Sequence, residues 1–270
     1  MEKRVLEGNL RKMQTELAAP IRYTLKLGED KIDMTSLVGT HFKMRFTGQI
    51  NCVNCGRATK KSFAQGSCFP CFRDSPNNAE CIIRPELCRA HLGEGRDPEW
   101  EERNHNQPHV VYLAIASGIK VGVTRETQVP YRWIDQGASR AVKIAVTENR
   151  YQAGMMEIAL KEFASDKTHW QRMLKNEVAT DIDIIEAKDL LIDKLDEEFM
   201  ELVSDDDEVT ELNYPSIRFP EKVKSHNLDK EPIIEGTLEA IKGQYLLFEG
   251  GKVINIRKYG GYFVEIEVQA

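Results

Sequence analysis

Apolar residues alternate with polar or basic ones in two stretches near the start of the chain, Ile21 to Leu27 and His41 to Ile50, the latter containing Phe42-Lys43-Met44-Arg45-Phe46. A period of two is that of half-exposed β-strands. Near the other end, Gly236 to Ile241, Tyr245 to Phe248, Val253 to Ile256 and Tyr262 to Val268 are four short strand patterns, separated by Gly243, by Glu249-Gly250-Gly251 and by Gly260-Gly261. This spacing predicts a small antiparallel β-barrel, joined by the strands of the other chain end, with everything between them an insertion.

Within that insertion, His109 to Ala116 is a continuous apolar run, Ser117-Gly118 a turn, and Ile119 to Thr124 a second run rich in β-branched residues, which together read as a hairpin. Pro130 signals a short helix over Val129 to Gly137, Val142 to Val146 a third strand, and Met155 to Phe163 repeats apolar residues at helical spacing. The resulting order is β-β-α-β-α. Asp181 to Val203 is helical by pattern, with Ile184, Leu191, Leu195 and Leu202 on one side and carboxylates on the other. The run Asp205-Asp206-Asp207-Glu208 lacks the alternating ligands and central glycine of an EF-hand loop and reads as a solvated acidic linker. Tyr214 to Lys230 reads as an extended connection. The class is α+β, divided into an N-terminal β segment (1–50), a cysteine-rich module (51–107), the β-β-α-β-α domain (108–175), an acidic helix and linker (176–230) and a C-terminal β segment (231–270).

With 41% hydrophobic and 30% charged residues in 270, the chain has enough apolar material for a sizeable core. No apolar run approaches the roughly 18 residues needed to cross a bilayer, and the N-terminal stretch has no signal-peptide pattern, so a cytoplasmic protein with no membrane partner is expected. The net charge of −6 argues against a uniformly basic coat protein for nucleic acid. Its distribution is uneven: Thr40 to Arg73 carries six basic side chains and no carboxylate, whereas Glu177 to Glu211 carries fifteen carboxylates against Lys188 and Lys194. That segregation suits a polyanion-binding face backed by an acidic one, and equally suits ordinary surface patchiness.

All six cysteines lie between Cys52 and Cys88. Cys52-Val-Asn-Cys55 and Cys68-Phe-Pro-Cys71 are two C-x2-C knuckles twelve residues apart, a spacing that brings four thiolates to the corners of a tetrahedron around Zn²⁺. The module reads as a zinc ribbon with a structural ion, since four sulfur ligands leave no open position for water. Cys81, Cys88, His91 and His105 form a second candidate metal set, with His109 as the alternative to His105, set against a reading of Cys81 and Cys88 as buried thiols. One or two structural zinc ions are therefore expected. No Walker loop, G-x-G-x-x-G after a strand, or G-x-S-x-G is present, so nucleotide-driven and serine-hydrolase chemistry are not supported.

Tyr112 in Val-Tyr-Leu, Lys120-Val121-Gly122, Arg132 on the next helix and Glu157 on the one after resemble the GIY-YIG superfamily of homing and repair nucleases over about Val110 to Trp170. With its cysteine-rich segment, the whole chain is also similar to an uncharacterised bacterial domain-of-unknown-function family that carries a zinc region before this module. The GIY-YIG resemblance implies that Tyr112 lies beside the attacking water, Arg132 steadies the phosphate charge and Glu157 holds one divalent metal, commonly Mg²⁺; Lys120 stands where the second tyrosine would be and can meet a phosphate. Lys43, Arg45, Lys60, Lys61, Arg125 and Trp133 are the candidate nucleic-acid contacts, and Lys258, Tyr259 and Tyr262 add basic and aromatic character to the C-terminal strands. Read on residues alone, Tyr112 is equally a core tyrosine and Glu157 a structural ion-pair partner. The expected function is nucleic-acid binding, with divalent-dependent cleavage within reach of the same residues; a protein-interaction scaffold is the alternative.

Overall fold

The computed structural model describes residues 3–164 and 169–269. The segment 108–175 thus includes four residues, 165–168, outside the described ones. The chain divides into two compact units, one formed by residues 1–73, 134–136 and 213–270, the other by residues 74–133 and 137–212. The cysteine-rich stretch is split between them, with the two knuckles in the first unit and Cys81 and Cys88 in the second.

The first unit opens with β1 (Lys3–Asn9), β2 (Gln14–Glu16), β3 (Arg22–Leu27), β4 (Asp30–Asp33) and β5 (His41–Ile50), followed by the knuckles and α1 (Phe69–Asp74). The second unit carries α2 (Pro98–Asn104), β6 (His109–Ile115), β7 (Ile119–Arg125), α3 (Tyr131–Asp135, shared with the first unit), β8 (Arg140–Thr147), α4 (Arg150–Lys161), α5 (Trp170–Leu174), α6 (Ile184–Ile192) and β9 (Thr210–Glu211). The chain then returns to the first unit with β10 (Lys224–Ser225), β11 (Ile233–Lys242), β12 (Tyr245–Phe248), β13 (Lys252–Asn255) and β14 (Tyr262–Gln269).

Strands from both chain ends share one seven-stranded sheet, in the order β1-β14-β5-β11-β12-β13-β10. The expected closed barrel is absent among the described residues: β1 and β10 are edges, and β10 contributes only two residues, parallel to β13, too little to close a ring. Alternation in β5 explains its place. Phe42 and Met44 are buried, and Phe42 packs on Phe248 with ring centroids 5.8 Å apart. Lys43 and Arg45 point outward, opposite Glu267 and Glu265 of β14.

The second unit is built on the sheet β7-β6-β8-β9. Every residue of β6 is buried, as its unbroken apolar run requires of a strand covered on both faces. Val111, Leu113 and Ile115 pack with Ala153, Met156 and Leu160 of α4 and with Ile184 and Leu191 of α6. Tyr112, between them, turns to the other face, where its ring lies 5.9 Å from that of Trp133. Helix α4 starts before the expected Met155, because the Asn149 side chain caps it by accepting from the Gln152 N–H at 3.0 Å.

The single helix expected over Asp181 to Val203 is broken. Helix α6 ends at Ile192, and a 3₁₀ segment covers Glu197–Leu202. Carboxylates at Asp193, Asp196, Glu197 and Glu198 sit at a helix C-terminus, where the macrodipole disfavours them. The acidic run after it is largely exposed, as expected, but is pinned at two points. Lys188, buried on α6, donates to Asp207 at 2.7 Å and to the carbonyls of Ser204 and Asp206, while Lys143 pairs with Asp206 at 2.9 Å.

One buried cation sets a pH dependence. Burial lowers the pKa of Lys242 from 10.5 to about 8, although its ammonium lies 5.2 Å from the Tyr214 ring and 5.7 Å from the Phe219 ring, contacts that favour the charged form. Between those two values the unfolded chain binds more protons than the folded one, so stability rises with pH across that window and the cost is fully present below its lower end. Replacing Lys242 with Met is expected to stabilise the protein by about 2 kcal/mol at neutral pH and to flatten this rise, as read by denaturation midpoints at pH 7 to 10.

Candidate metal centres and surrounding residues

The first knuckle is a tight turn closed by Gly56 N–H to the Cys52 carbonyl at 2.9 Å, and the second is entered through the bridge between Phe63 and Ser67. Phe63 stacks on Phe72 and meets Phe69 edge-on, both at 5.6 Å, giving the loop its small apolar centre. One sulfur from each of Cys52, Cys55, Cys68 and Cys71 lies within 4.8 Å of all the others. The Cys55 and Cys68 sulfurs are 3.8 Å apart, and the Cys68 N–H donates to the Cys52 sulfur at 3.1 Å.

Burial works against ionising Cys52, but N–H groups of Cys68, Cys55 and Asn54 aimed at its sulfur outweigh it and bring its pKa down to about 6. Cys71, crowded by the sulfurs of Cys55 and Cys68, is pushed up to about 12. Four thiols so close resist ionising together unless a cation joins them, and this donor set is compatible with a structural zinc. The knuckles dock on the turn before β14 through a glycine pair. A Cβ on Gly260 would stand 2.4 Å from the Gln65 carbonyl oxygen, and one on Gly261 2.1 Å from that of Asn51.

A second group lies in the other unit. Ligand atoms of Cys81, Cys88, Glu101 and His105 also fall within 4.8 Å of one another. His105 is thus in the cluster, but Glu101 takes the place expected for His91. The His91 ring is exposed and stacks on Tyr151 at 4.7 Å. His109, the other histidine considered, is buried with Nδ1 2.7 Å from the Gln107 carbonyl oxygen, and burial lowers its pKa to about 3. Glu101 and His105 are one turn apart, at the end of α2, whose N-cap Asp97 accepts from Trp100 N–H at 3.0 Å. That signal stood in the sequence: an Asp-Pro start followed by acidic residues and, four residues after Glu101, a histidine.

The residues singled out for phosphate chemistry are dispersed in character. Tyr112 is fully buried, paired across the ladder with Gly122, so close that a Cβ there would stand 2.6 Å from its hydroxyl. Glu157 is buried on α4, the helix covering the opposite face of β6, and bonds Lys161 at 3.1 Å. Lys120 and Arg132 are half-buried. Arg132 and Glu157 both act on the charge of Arg150, so the two lie within electrostatic range of one guanidinium.

Among the proposed nucleic-acid contacts, Trp133 is buried, and Arg125 is engaged by the Asn104 side chain. Lys43 bonds Glu267 at 3.0 Å, and Arg45 is clamped by Glu265 through two guanidinium nitrogens. Those carboxylates raise both pKa values and neutralise that part of the sheet. Lys60 and Lys61 are exposed and, with Lys258, line a cleft of about 540 Å³ beside the knuckles, whose wall includes Tyr259, Tyr262 and Asn255. Its one carboxylate, Asp229, accepts from the Tyr262 hydroxyl at 2.9 Å. Two of the ammonium groups lie over aromatic rings, Lys61 Nζ 5.2 Å from the Phe63 centroid and Lys258 Nζ 5.3 Å from that of Tyr259.

No helix among the described residues is long and apolar enough to cross a membrane. A family model described as protein of unknown function, DUF2797, matches residues 39–264. No curated protein and no solved structure matches the chain.

Proposed function

Because the chain belongs to the DUF2797 family, whose description states no activity, we propose its role from its own residues: a zinc-stabilised protein that binds a nucleic-acid strand in the cleft beside the Cys52-Cys55-Cys68-Cys71 knuckles. The observation carrying this reading is the convergence of Lys60, Lys61 and Lys258 on a concave surface whose single carboxylate is already hydrogen-bonded. Three ammonium groups meet phosphates, while Tyr259 and Tyr262 are buried in the wall behind them and shape the cleft. A structural zinc would hold the lysine-bearing loop against the strand turn carrying Lys258, so the cation spacing would depend on the metal.

Binding is expected to weaken as salt rises. Lys60→Ala with Lys61→Ala should lower affinity across sequences and make the log–log salt slope shallower by roughly 0.7–0.9 per lysine. Fluorescence anisotropy with labelled single-stranded oligonucleotides measures both. No affinity at low salt, or a double variant with unchanged affinity and slope, contradicts the reading.

Cleavage is the second reading. It is favoured by the order β6-β7-α3-β8-α4, in which β6, β7, α3 and α4 carry Tyr112, Lys120, Arg132 and Glu157 in the order of the GIY-YIG pattern, and by the common reach of Arg132 and Glu157 to Arg150. The same oligonucleotides incubated with Mg²⁺ test it: cutting lost in Glu157→Ala and in Arg132→Ala supports it, and no cutting, or cutting that survives both, rejects it.

A further inference from the structure

Residues 74–106 contain no strand. They consist of one-turn 3₁₀ segments at Pro76–Asn78, Glu80–Ile82, Pro85–Leu87 and Ala90–Leu92, followed by α2. The buried apolar cluster of this stretch is Cys81, Cys88 and Ala90, with Ala79 and Tyr151 packed against it. Ordering some thirty residues costs far more conformational entropy than so small a core returns, so another interaction has to fix them.

That interaction is placed by the four side chains that do converge. Cys81 comes from one 3₁₀ turn, Cys88 follows the next, and Glu101 and His105 project from one face of α2. The Cys81 sulfur lies 3.9 Å from His105 Nδ1, and Glu101 contacts that same nitrogen. Glu101 and His105 are each 3% exposed, and the Trp100 ring closes edge-on over the imidazole at 5.0 Å. A carboxylate, an imidazole and two thiols gathered out of water are costly to bury unless a cation is shared among them. Two sulfurs, one nitrogen and one oxygen in a compact group form a donor set for zinc, and four protein ligands close its coordination sphere.

We propose that Cys81, Cys88, Glu101 and His105 bind a second zinc ion, and that this ion fastens the segment onto α4. Two thiolates and a carboxylate around a dication leave one negative charge. Arg150, the first residue of α4, stands beside it, donating through Nε to the Cys81 carbonyl and through Nη2 to the Ile82 carbonyl, both at 2.9 Å. The contact continues along the helix, since a Cβ on Gly154 would stand 2.3 Å from the Glu86 nitrogen. The zinc is therefore a positioning element for the helix that bears Glu157, with no open site for chemistry.

Native mass spectrometry of the full chain, prepared with zinc in the medium, tests this. Two zinc ions per chain are expected, one in Glu101→Ala and in His105→Ala, and two in His91→Ala. One zinc in the unsubstituted chain, two retained in either of the first two variants, or one in His91→Ala overturns the assignment. If a variant does not fold, cobalt(II) substitution of the unsubstituted chain decides the matter. Thiolate-to-cobalt charge-transfer intensity matching all six cysteines supports two centres, and intensity matching four overturns the second.

Discussion

Cys68→Ser is expected to remove the knuckle zinc and release residues 51–73 from the strands they dock on. Cys68 ties the two knuckles together: its sulfur lies beside that of Cys55, its N–H donates to Cys52, and its side chain is almost wholly buried. The apolar centre of the loop is small, three phenylalanine rings. A structural zinc supplies on the order of 10 kcal/mol of apparent folding free energy in small modules. Loss of it exceeds what the loop can replace, and the loop opens even if the seven-stranded sheet remains, because stability is distributed locally. Hydrogen exchange reads this directly. The Val53 and Ser67 amides, bonded to Gly66 and Phe63 carbonyls, should lose protection while Met44 and Ile266 in the sheet keep theirs. Unchanged zinc content and unchanged protection at Val53 would count against a metal at this site.

Tyr112→Ala is expected to destabilise the second unit by about 3–5 kcal/mol, the usual cost of deleting a buried aromatic ring from a packed core. The ring is wholly buried, lies over Gly122 and packs near Trp133, so neither strand nor helix can collapse into the space without breaking the ladder. Tyr112→Phe keeps the ring and should cost on the order of 1 kcal/mol. The pair separates two roles. A core tyrosine predicts a large effect of Ala and a small one of Phe on the urea midpoint, with oligonucleotide binding unchanged in Phe. If Tyr112→Phe abolishes Mg²⁺-dependent cutting without moving the midpoint, the hydroxyl acts in chemistry and the cleavage reading is supported.

How much of this was legible depended on what each residue's neighbours were. His41–Ile50 and Tyr245–Phe248 were readable to the residue because half-exposed and short glycine-bounded strands carry their period in their own side chains. The hairpin of β6 and β7 was readable for a related reason, a continuous apolar run bounded by a two-residue turn. Where a distant partner set the structure, the pattern misled. The apolar repeat begins at Met155, yet Gly154 also lies inside α4, where the Glu86 backbone approaches it. The acidic run after Val203 is exposed as its composition suggests, yet no local pattern shows that Asp207 answers Lys188, a lysine that α6 turns inward. Barrel closure depended on two edge strands pairing, which no local period specifies.

The candidate sites divide in the same way. Local spacing sufficed for Cys52, Cys55, Cys68 and Cys71, since each C-x2-C pair is its own turn. Glu101 lies on a helix of only seven residues, Pro98–Asn104, too short to show an apolar period. Lys43 and Arg45 looked like a free basic face until the register placed Glu267 and Glu265 opposite them. Trp133 is buried because α3 lays it against Tyr112, a packing that residue type alone does not disclose.

The location of the bound strand decides the functional account. Ultraviolet cross-linking of the full chain to a single-stranded oligonucleotide, followed by peptide mass spectrometry, is expected to mark peptides containing Lys60, Lys61 and Lys258, with the marks fading as salt is raised. Cross-links confined to the second unit, or none at low salt, would contradict binding in the lysine cleft.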